Sequence, residues 1–341
     1  MLSSPKLLIQ PRKVFTIFPL LFVVSCLFCA SAHSTPRHVR NVKKSIHDCF
    51  RLRRVETKRN YEVYRVGMDG SMPVKKSTIF PHLKKSKIIV DVGTGTGTLA
   101  AHLSQAFPEK TVVGVDISKE MITGAQKSHQ GKNLRFEKLG ADQNYSHIRA
   151  DTAVFSSIFH EIFSYAGDSK TAVKNALRVA HQSVIDRIVI RDFVKPDNPR
   201  QKVLLAHEKS DITQGKSLLD FVSQSKRTYE AKIVEETEDR IVYETDMETA
   251  YEYMFRKDYK ENWIPELAEV YGFMTSKEFK QTLLEEGWKT VHKQTMSNPW
   301  IVKNRLENKI ELFSPFTGES IAYPDYQMLM VAEKVSVPST Q

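Results

Sequence analysis

The sequence predicts an α/β protein with a doubly wound parallel sheet. Two observations support this prediction. Short apolar runs alternate with segments of helical periodicity across the middle of the chain, as in parallel sheets covered by helices on both faces. The run Ile88–Val92 is followed by glycines at alternate positions, Gly93, Gly95 and Gly97, and then by an apolar segment that can begin a helix. A strand, a glycine turn and a helix N-terminus together form a nucleotide-type pocket.

The elements follow from local composition. Apolar and β-branched runs predict strands, whereas apolar residues spaced three and four apart predict helices. In chain order we predict strand Ile88–Val92, helix Thr98–Phe107, strand Thr111–Val115, helix Lys119–Ser128, strand Leu134–Leu139, strand Thr152–Ser156, helix Ala172–Ala180 and strand Arg187–Ile190. A last helix is predicted up to Gly287, with Ser276 as its N-cap.

Acidic residues at three strand ends specify the ligand of the pocket. Asp91 lies two residues before the first glycine, where a pyrophosphate gains nothing from a carboxylate but a ligand with an ammonium and a sulfonium does. Asp116 ends the second strand 23 residues after Gly93 and is placed to accept hydrogen bonds from both ribose hydroxyls. Asp142 follows the third strand and is placed to meet an adenine amino group.

The motifs Asp91-Val-Gly-Thr-Gly-Thr-Gly97, Gly114-Val-Asp116 and Gly140-Ala-Asp142 resemble those of the class I S-adenosylmethionine-dependent methyltransferases. The resemblance implies a Rossmann-like sheet of seven strands whose last pair is antiparallel, here Trp288–Gln294 and Tyr326–Glu333. It also implies S-adenosyl-L-methionine as the cofactor, with its methionine end at Asp91 and the glycine loop. The cofactor-binding residues implied are Asp91, Gly93, Thr94, Gly95, Gly97, Asp116, Ile117, Asp142 and Ser156. A nicotinamide-dinucleotide site is the alternative for the glycine loop, but Thr98 stands at its third glycine position and Asp91 has no role in it.

The acceptor pocket is expected at the end of the fourth strand, in the segment Phe155–Tyr165. This segment lacks the Asn/Asp-Pro-Pro-aromatic motif of amino N-methyltransferases, and the similar Ser297-Asn-Pro-Trp300 comes after the sixth strand. His160 and Glu161 are the catalytic candidates, because a histidine near its ordinary pKa is a suitable base for a hydroxyl or an acidic carbon. Alternatively, they cap the following helix or line the cofactor edge. Pocket walls are expected from Tyr165, Arg191 and Asp192.

Residues 196–276 are too long for a simple connection and are rich in aromatic and charged side chains. We predict a helical insertion before the sixth strand that covers the substrate; the alternative is a helical decoration that packs elsewhere. The predicted organisation is a signal peptide or membrane anchor at 1–36, a basic arm and lead-in at 37–83, the S-adenosylmethionine-binding core at 84–195, the helical substrate lid at 196–275 and the end of the methyltransferase core at 276–336.

Charge is unevenly distributed along the 341 residues, whose net charge is +10. Residues 1–87 contain 18 Lys and Arg against 4 Asp and Glu, whereas the remainder contains 32 against 36. The mildly acidic remainder argues against a catalytic face built to follow a polyanion. The function predicted is therefore methyl transfer to a small-molecule acceptor at oxygen or carbon. An RNA methyltransferase that uses the basic arm and a non-catalytic S-adenosylmethionine-binding protein tethered to a membrane are the alternatives.

Residues 14–32 form an uncharged apolar span. The span fits a cleaved signal peptide, a short transmembrane helix or a misassigned start. Because the heavier basic cluster follows it, we expect a membrane anchor with the enzyme on the cytosolic side; an exported and a soluble cytoplasmic protein are the alternatives. Cys26, Cys29 and Cys49 are the only cysteines, so the sequence predicts no disulfide framework, no metal site and no catalytic cysteine.

Overall fold

The computed structural model describes residues 71–335. The apolar span at 14–32 and most of the basic arm lie outside these residues, and their predicted roles stay predictions. Within the described part of the chain, no helix is both long enough and apolar enough to cross a membrane.

A seven-stranded sheet of order β3-β2-β1-β4-β5-β12-β9 forms the centre of the fold. Its strands are β1 (Ile88–Val92), β2 (Thr111–Asp116), β3 (Leu134–Lys138), β4 (Thr152–Ser156), β5 (Arg187–Phe193), β9 (Trp288–Met296) and β12 (Gln327–Lys334). The first five strands pair in parallel, while β12 pairs antiparallel with both β5 and β9. The predicted strands and the antiparallel final pair are therefore confirmed.

Helices cover both faces of this sheet, and residues that alternate along each strand face opposite sides. Val90 and Ile190 belong to an apolar cluster with α4 (Phe159–Tyr165), α5 (Lys170–Ser183) and α9 (Ser276–Glu285). Ile89, Val154 and Val189 belong to the opposite cluster, which contains residues of the helices at 72–79, 98–106 and 119–128. These three helices are α1 (Met72–Ile79), α2 (Thr98–Ala106) and α3 (Lys119–Ser128).

The insertion contains strands as well as helices, so its description as helical is wrong in part. A five-stranded antiparallel sheet of order β11-β10-β6-β8-β7 takes three of its strands from residues 202–246 and two from the segment between β9 and β12. Its strands are β6 (Lys202–Glu208), β7 (Ala231–Glu236), β8 (Arg240–Asp246), β10 (Ile310–Phe313) and β11 (Ser320–Ile321). The helices are α6 (Leu218–Gln224), α7 (Met247–Met254), α8 (Trp263–Leu267) and α10 (Pro299–Ile301), the last continued by a π-helical turn at Val302–Leu306.

The start of α9 also differs from the prediction. Thr275, not Ser276, is the N-cap, because its extended backbone lets the side-chain oxygen accept a hydrogen bond from the Glu278 N–H at 3.2 Å. The Glu278 carboxylate in turn accepts from the Thr275 N–H at 2.9 Å, which completes a capping box. The predicted end of the helix is confirmed: Gly287 has a φ of +82°.

Candidate active site

The glycine loop joins β1 to α2 and depends on left-handed backbone. Gly93, Gly95 and Gly97 have φ values of +72°, +55° and +79°. The N–H groups of Gly93 and Thr94 both donate to the Val115 carbonyl, at 2.8 and 2.9 Å, which fixes the loop to β2. A Cβ on Gly97 would lie 2.8 Å from the Ala125 Cβ, whereas a Cβ on Gly95 would meet no described atom within 4 Å. Gly95 therefore lines an open space that a ligand can enter closely.

Asp91 lies beneath this loop and is 2% exposed. Its Oδ2 accepts a hydrogen bond from the Thr94 hydroxyl at 2.7 Å. Burial raises the pKa of Asp91 to about 6, against the opposing effects of the Thr94 hydrogen bond and the charge of Lys75 on α1. The carboxylate is therefore ionised at neutral pH in a poorly solvated site, where it attracts a cationic ligand group more strongly than an exposed carboxylate would.

The other two strand-end acids are Asp116, which contacts the glycine loop, and Asp142, which lies near Ile117. The carboxylate of Asp116 accepts from the Gly95 N–H at 3.0 Å and from the Ser118 N–H at 2.8 Å. Ile117 and Asp142 meet around Gly140, since a Cβ there would lie 2.5 Å from the Asp142 Oδ1 and 3.4 Å from the Ile117 Cδ1. The structure therefore brings Asp116, Ile117 and Asp142 together where β2 and β3 end.

Ser156 ends β4, between the strand of Asp91 and the strand of Arg191. Its Oγ is buried and has no hydrogen-bond partner among the described residues. A buried hydroxyl without a hydrogen-bond partner is uncommon in native proteins. The Ser156 hydroxyl is therefore suited to form a hydrogen bond with a bound ligand.

His160 lies in α4 and is 4% exposed. Its Nδ1 lies 2.7 Å from the Asp192 carboxylate and its Nε2 lies 3.4 Å from that of Glu269. Burial by itself lowers the pKa of His160, but the charge and hydrogen bond of Asp192, helped by Glu161 and Glu266, raise it above its usual value. Both ring nitrogens thus face carboxylates, and a protonated ring in this setting donates hydrogen bonds instead of removing a proton.

Asp192 has a larger structural role than the pocket wall expected from the sequence. Its carboxylate accepts from the N–H groups of Ile158 and Phe159 at 2.9 and 2.7 Å, and so caps the start of α4. No local pattern could reveal this, because Asp192 lies on β5, 33 residues after Phe159. Glu161, the second catalytic candidate, is 8% exposed in the same helix.

The insertion contacts α4 directly. Glu269 accepts a hydrogen bond from the Tyr165 hydroxyl at 3.0 Å, and the Val270 N–H donates to the Ser164 Oγ at 2.7 Å. The Tyr271 ring stacks on Phe193 at the end of β5, with 4.0 Å between ring centroids. Through these contacts, residues of the insertion cover α4 and the end of β5, where the acceptor pocket is expected.

Comparison with known proteins agrees with this geometry. Residues 89–183 match the family model described as a methyltransferase domain. A 50-residue stretch is 48% identical to trans-aconitate 2-methyltransferase of Deinococcus radiodurans, covering 15% of this chain and 19% of that protein. Over 197 residues the chain is 25% identical to the tRNA (guanine-N(7)-)-methyltransferase of Buchnera aphidicola, covering 48% of this chain and 82% of that protein.

Among solved structures, the chain is similar to magnesium protoporphyrin IX methyltransferase from Synechocystis PCC 6803, with 14% identity, a TM-score of 0.44 and coverage of 86% of this chain and 99% of that one. The matched domain, the strand order and the acid-and-glycine site define a Rossmann-like nucleotide-binding enzyme fold. Residues 89–183 therefore carry a methyltransferase domain, and this match supports S-adenosyl-L-methionine as the cofactor. Only 19% of the Deinococcus relative's length is covered, and the sequence match shows nothing about the acceptor.

Proposed function

We propose that this protein transfers a methyl group from S-adenosyl-L-methionine to a small-molecule acceptor, at oxygen or carbon. The observation that supports it most is the closure of the acceptor side: Glu269, Val270 and Tyr271 of the insertion contact α4 and the end of β5. A site enclosed in this way suits a small acceptor better than an extended polymer.

The donor site is proposed to form on β1 and β2. Asp91 would hold the ammonium of the methionine end, because its buried carboxylate is ionised above a pH of about 6. The Gly95 N–H fixes the Asp116 carboxylate beside the glycine loop, where Asp116 would accept hydrogen bonds from the ribose hydroxyls. Ile117 and Asp142 would flank the adenine. The donor supplies a methyl group already activated on a sulfonium.

On the acceptor side, the protein's main contribution is proposed to be orientation, because an activated donor needs little further chemical help. His160 would act as a positioning residue: it links the Asp192 cap of α4 to Glu269 of the insertion. The buried carboxylate of Glu161 remains the candidate for accepting a proton from the acceptor.

A tRNA acceptor is the second candidate, and the similarity to tRNA (guanine-N(7)-)-methyltransferases over 48% of the chain favours it. The 18 basic residues among positions 1–87 would supply the phosphate contacts. Binding without catalysis is the third. Incubation of the full-length chain with methyl-labelled donor separates the three: label in a small-metabolite extract supports the first, label in total tRNA supports the second, and no transfer despite donor binding supports the third.

Donor binding is tested by calorimetric titration of the full-length protein with S-adenosylhomocysteine. We expect micromolar affinity in the wild type and a loss of about tenfold or more in Asp91→Asn. Asp151→Asn is the matched control. Asp151 accepts from the Ile88 N–H at 2.8 Å, at the opposite end of β1, so its replacement should lower stability and leave donor affinity unchanged. A folded wild type that binds neither this compound nor S-adenosylmethionine would refute the proposed function.

A further inference from the structure

Arg191 is a buried arginine whose guanidinium forms no direct ion pair within the described residues. The side chain of Arg191 is 2% exposed, and it makes no ion pair with any residue in the range 71–335. Its Nη2 donates to the Gln327 Oε1 at 2.6 Å, and its Nε has no partner among the same residues. A guanidinium offers five N–H donors and cannot lose its charge, so an arginine in this setting keeps both donors and charge available.

The neighbouring side chains show which way this arginine faces. Arg191 pairs in register with Ser156 on β4 and with Leu329 on β12. Leu329 and Val189 belong to the apolar cluster on the side of the sheet that also carries Asp91. Arg191, Ser156 and Gln327 therefore lie on one face of the sheet, at the edge where the parallel strands β4 and β5 end and the antiparallel strand β12 begins. Ser156 and Arg191 each have a buried polar atom without a hydrogen-bond partner among the described residues.

The opposite face explains why Asp192 does not neutralise Arg191. Successive residues of a strand point to opposite sides of the sheet. Asp192 points towards α4, where His160, Ile158 and Phe159 occupy its oxygens. Asp192 therefore forms no direct ion pair with Arg191, and its carboxylate lies on the other face of the sheet.

We propose that Arg191 and Gln327, together with Ser156, which the family resemblance assigns to the cofactor, form a subsite that binds a carboxylate group of the methyl acceptor. A single guanidinium carries one positive charge, which matches a monoanion. Its planar N–H donors, flanked by a hydroxyl and an amide, match the two oxygens of a carboxylate in shape. The subsite lies two strands away from Asp91, roughly 10 Å at the usual spacing between strands, on the side where the acceptor is expected. This inference rests on the proposed function and names the acceptor class: small molecules that carry a carboxylate.

The test compares small carboxylates with their neutral amides: acetate with acetamide, propionate with propionamide and benzoate with benzamide. Their binding to the full-length protein loaded with S-adenosylhomocysteine is measured by ligand-observed NMR. At least one carboxylate should bind about tenfold more tightly than its amide. Arg191→Met should remove this preference and change the affinity for S-adenosylhomocysteine by less than about twofold, since Asp91 and Asp116, which are proposed to hold the donor, are unchanged.

Arg187→Met is the matched control, because Arg187 lies on the same strand and pairs with Glu333 at the opposite edge of the sheet. It should keep the carboxylate preference. Thermal unfolding supplies a second readout: Arg191→Met should be as stable as the wild type or more stable, since it removes an unpaired buried charge. The inference is wrong if no carboxylate is preferred, if the preference survives in Arg191→Met, or if only donor affinity falls. Failure of S-adenosylhomocysteine to bind the wild type would instead refute the proposed function.

Discussion

Replacing Asp91 by asparagine should make the ligand-free protein more stable at neutral pH. Burial raises the pKa of Asp91 from 3.8 to about 6. A group whose pKa is higher in the folded state than in the unfolded state makes its full contribution to stability at pH values below the unfolded-state pKa, here 3.8. This contribution is lost as the pH rises through the folded-state pKa of about 6. At about 1.4 kcal/mol per unit, the wild type therefore loses about 3 kcal/mol relative to the variant between pH 3.8 and neutrality.

Asparagine is the appropriate replacement because its side-chain oxygen can still accept the hydrogen bond of the Thr94 hydroxyl. The assay is urea unfolding of wild type and Asp91→Asn without ligand, at several values from about pH 5 to 8. Between pH 5 and 7 the difference in unfolding free energy should grow by about 1.3 kcal/mol in favour of the variant, and then level off. A difference that does not change with pH, or one that grows in favour of the wild type, would refute the reasoning. Added S-adenosylhomocysteine should stabilise the wild type more than the variant.

Three further outcomes are expected from urea unfolding. Gly114→Ala should lower the unfolding free energy by about 1–3 kcal/mol, because its Cβ would lie 2.6 Å from the buried ring of Phe136. Gly124→Ala in α3, where a Cβ would meet nothing within 4 Å, should raise the unfolding free energy by about 1 kcal/mol. Equal effects of the two substitutions would contradict this reasoning. Asp192→Asn should lower the pKa of His160 in an NMR titration and cost about 3 kcal/mol in the pH range where the wild-type ring is protonated. Because the pKa of His160 is raised, its stabilising contribution is lost as pH rises, and this loss should be absent from the variant. Thr275→Ala should cost about 1 kcal/mol through loss of the α9 cap, and an unchanged midpoint would argue against the capping box.

The central sheet was predictable because its strands are local and continuous. Ile88–Val92 and Thr111–Asp116 are short apolar runs whose pairing follows from right-handed crossover helices. The second sheet was not predictable in the same way. Lys202–Glu208 pairs with Ile310–Phe313, about a hundred residues later, and neither run shows which partner it takes. The aromatic and charged residues of the segment 196–276 suggested helices, although three strands of the second sheet lie in this segment.

The sequence by itself predicted the methyltransferase domain and the residues proposed to hold the donor. Asp91, the glycine loop and Asp116 lie in one strand–turn–helix unit and the next strand, so their proximity follows from local structure. Only the tertiary structure decided the acceptor side. Asp192, 32 positions away, raises the pKa of His160 against the effect of burial, and Glu269, 109 positions away, lies at the other ring nitrogen. Likewise, Arg191 forms no ion pair with a residue in the described part of the chain, because the pleat turns its neighbour Asp192 to the other face of the sheet. No spacing in the sequence reveals this consequence of packing.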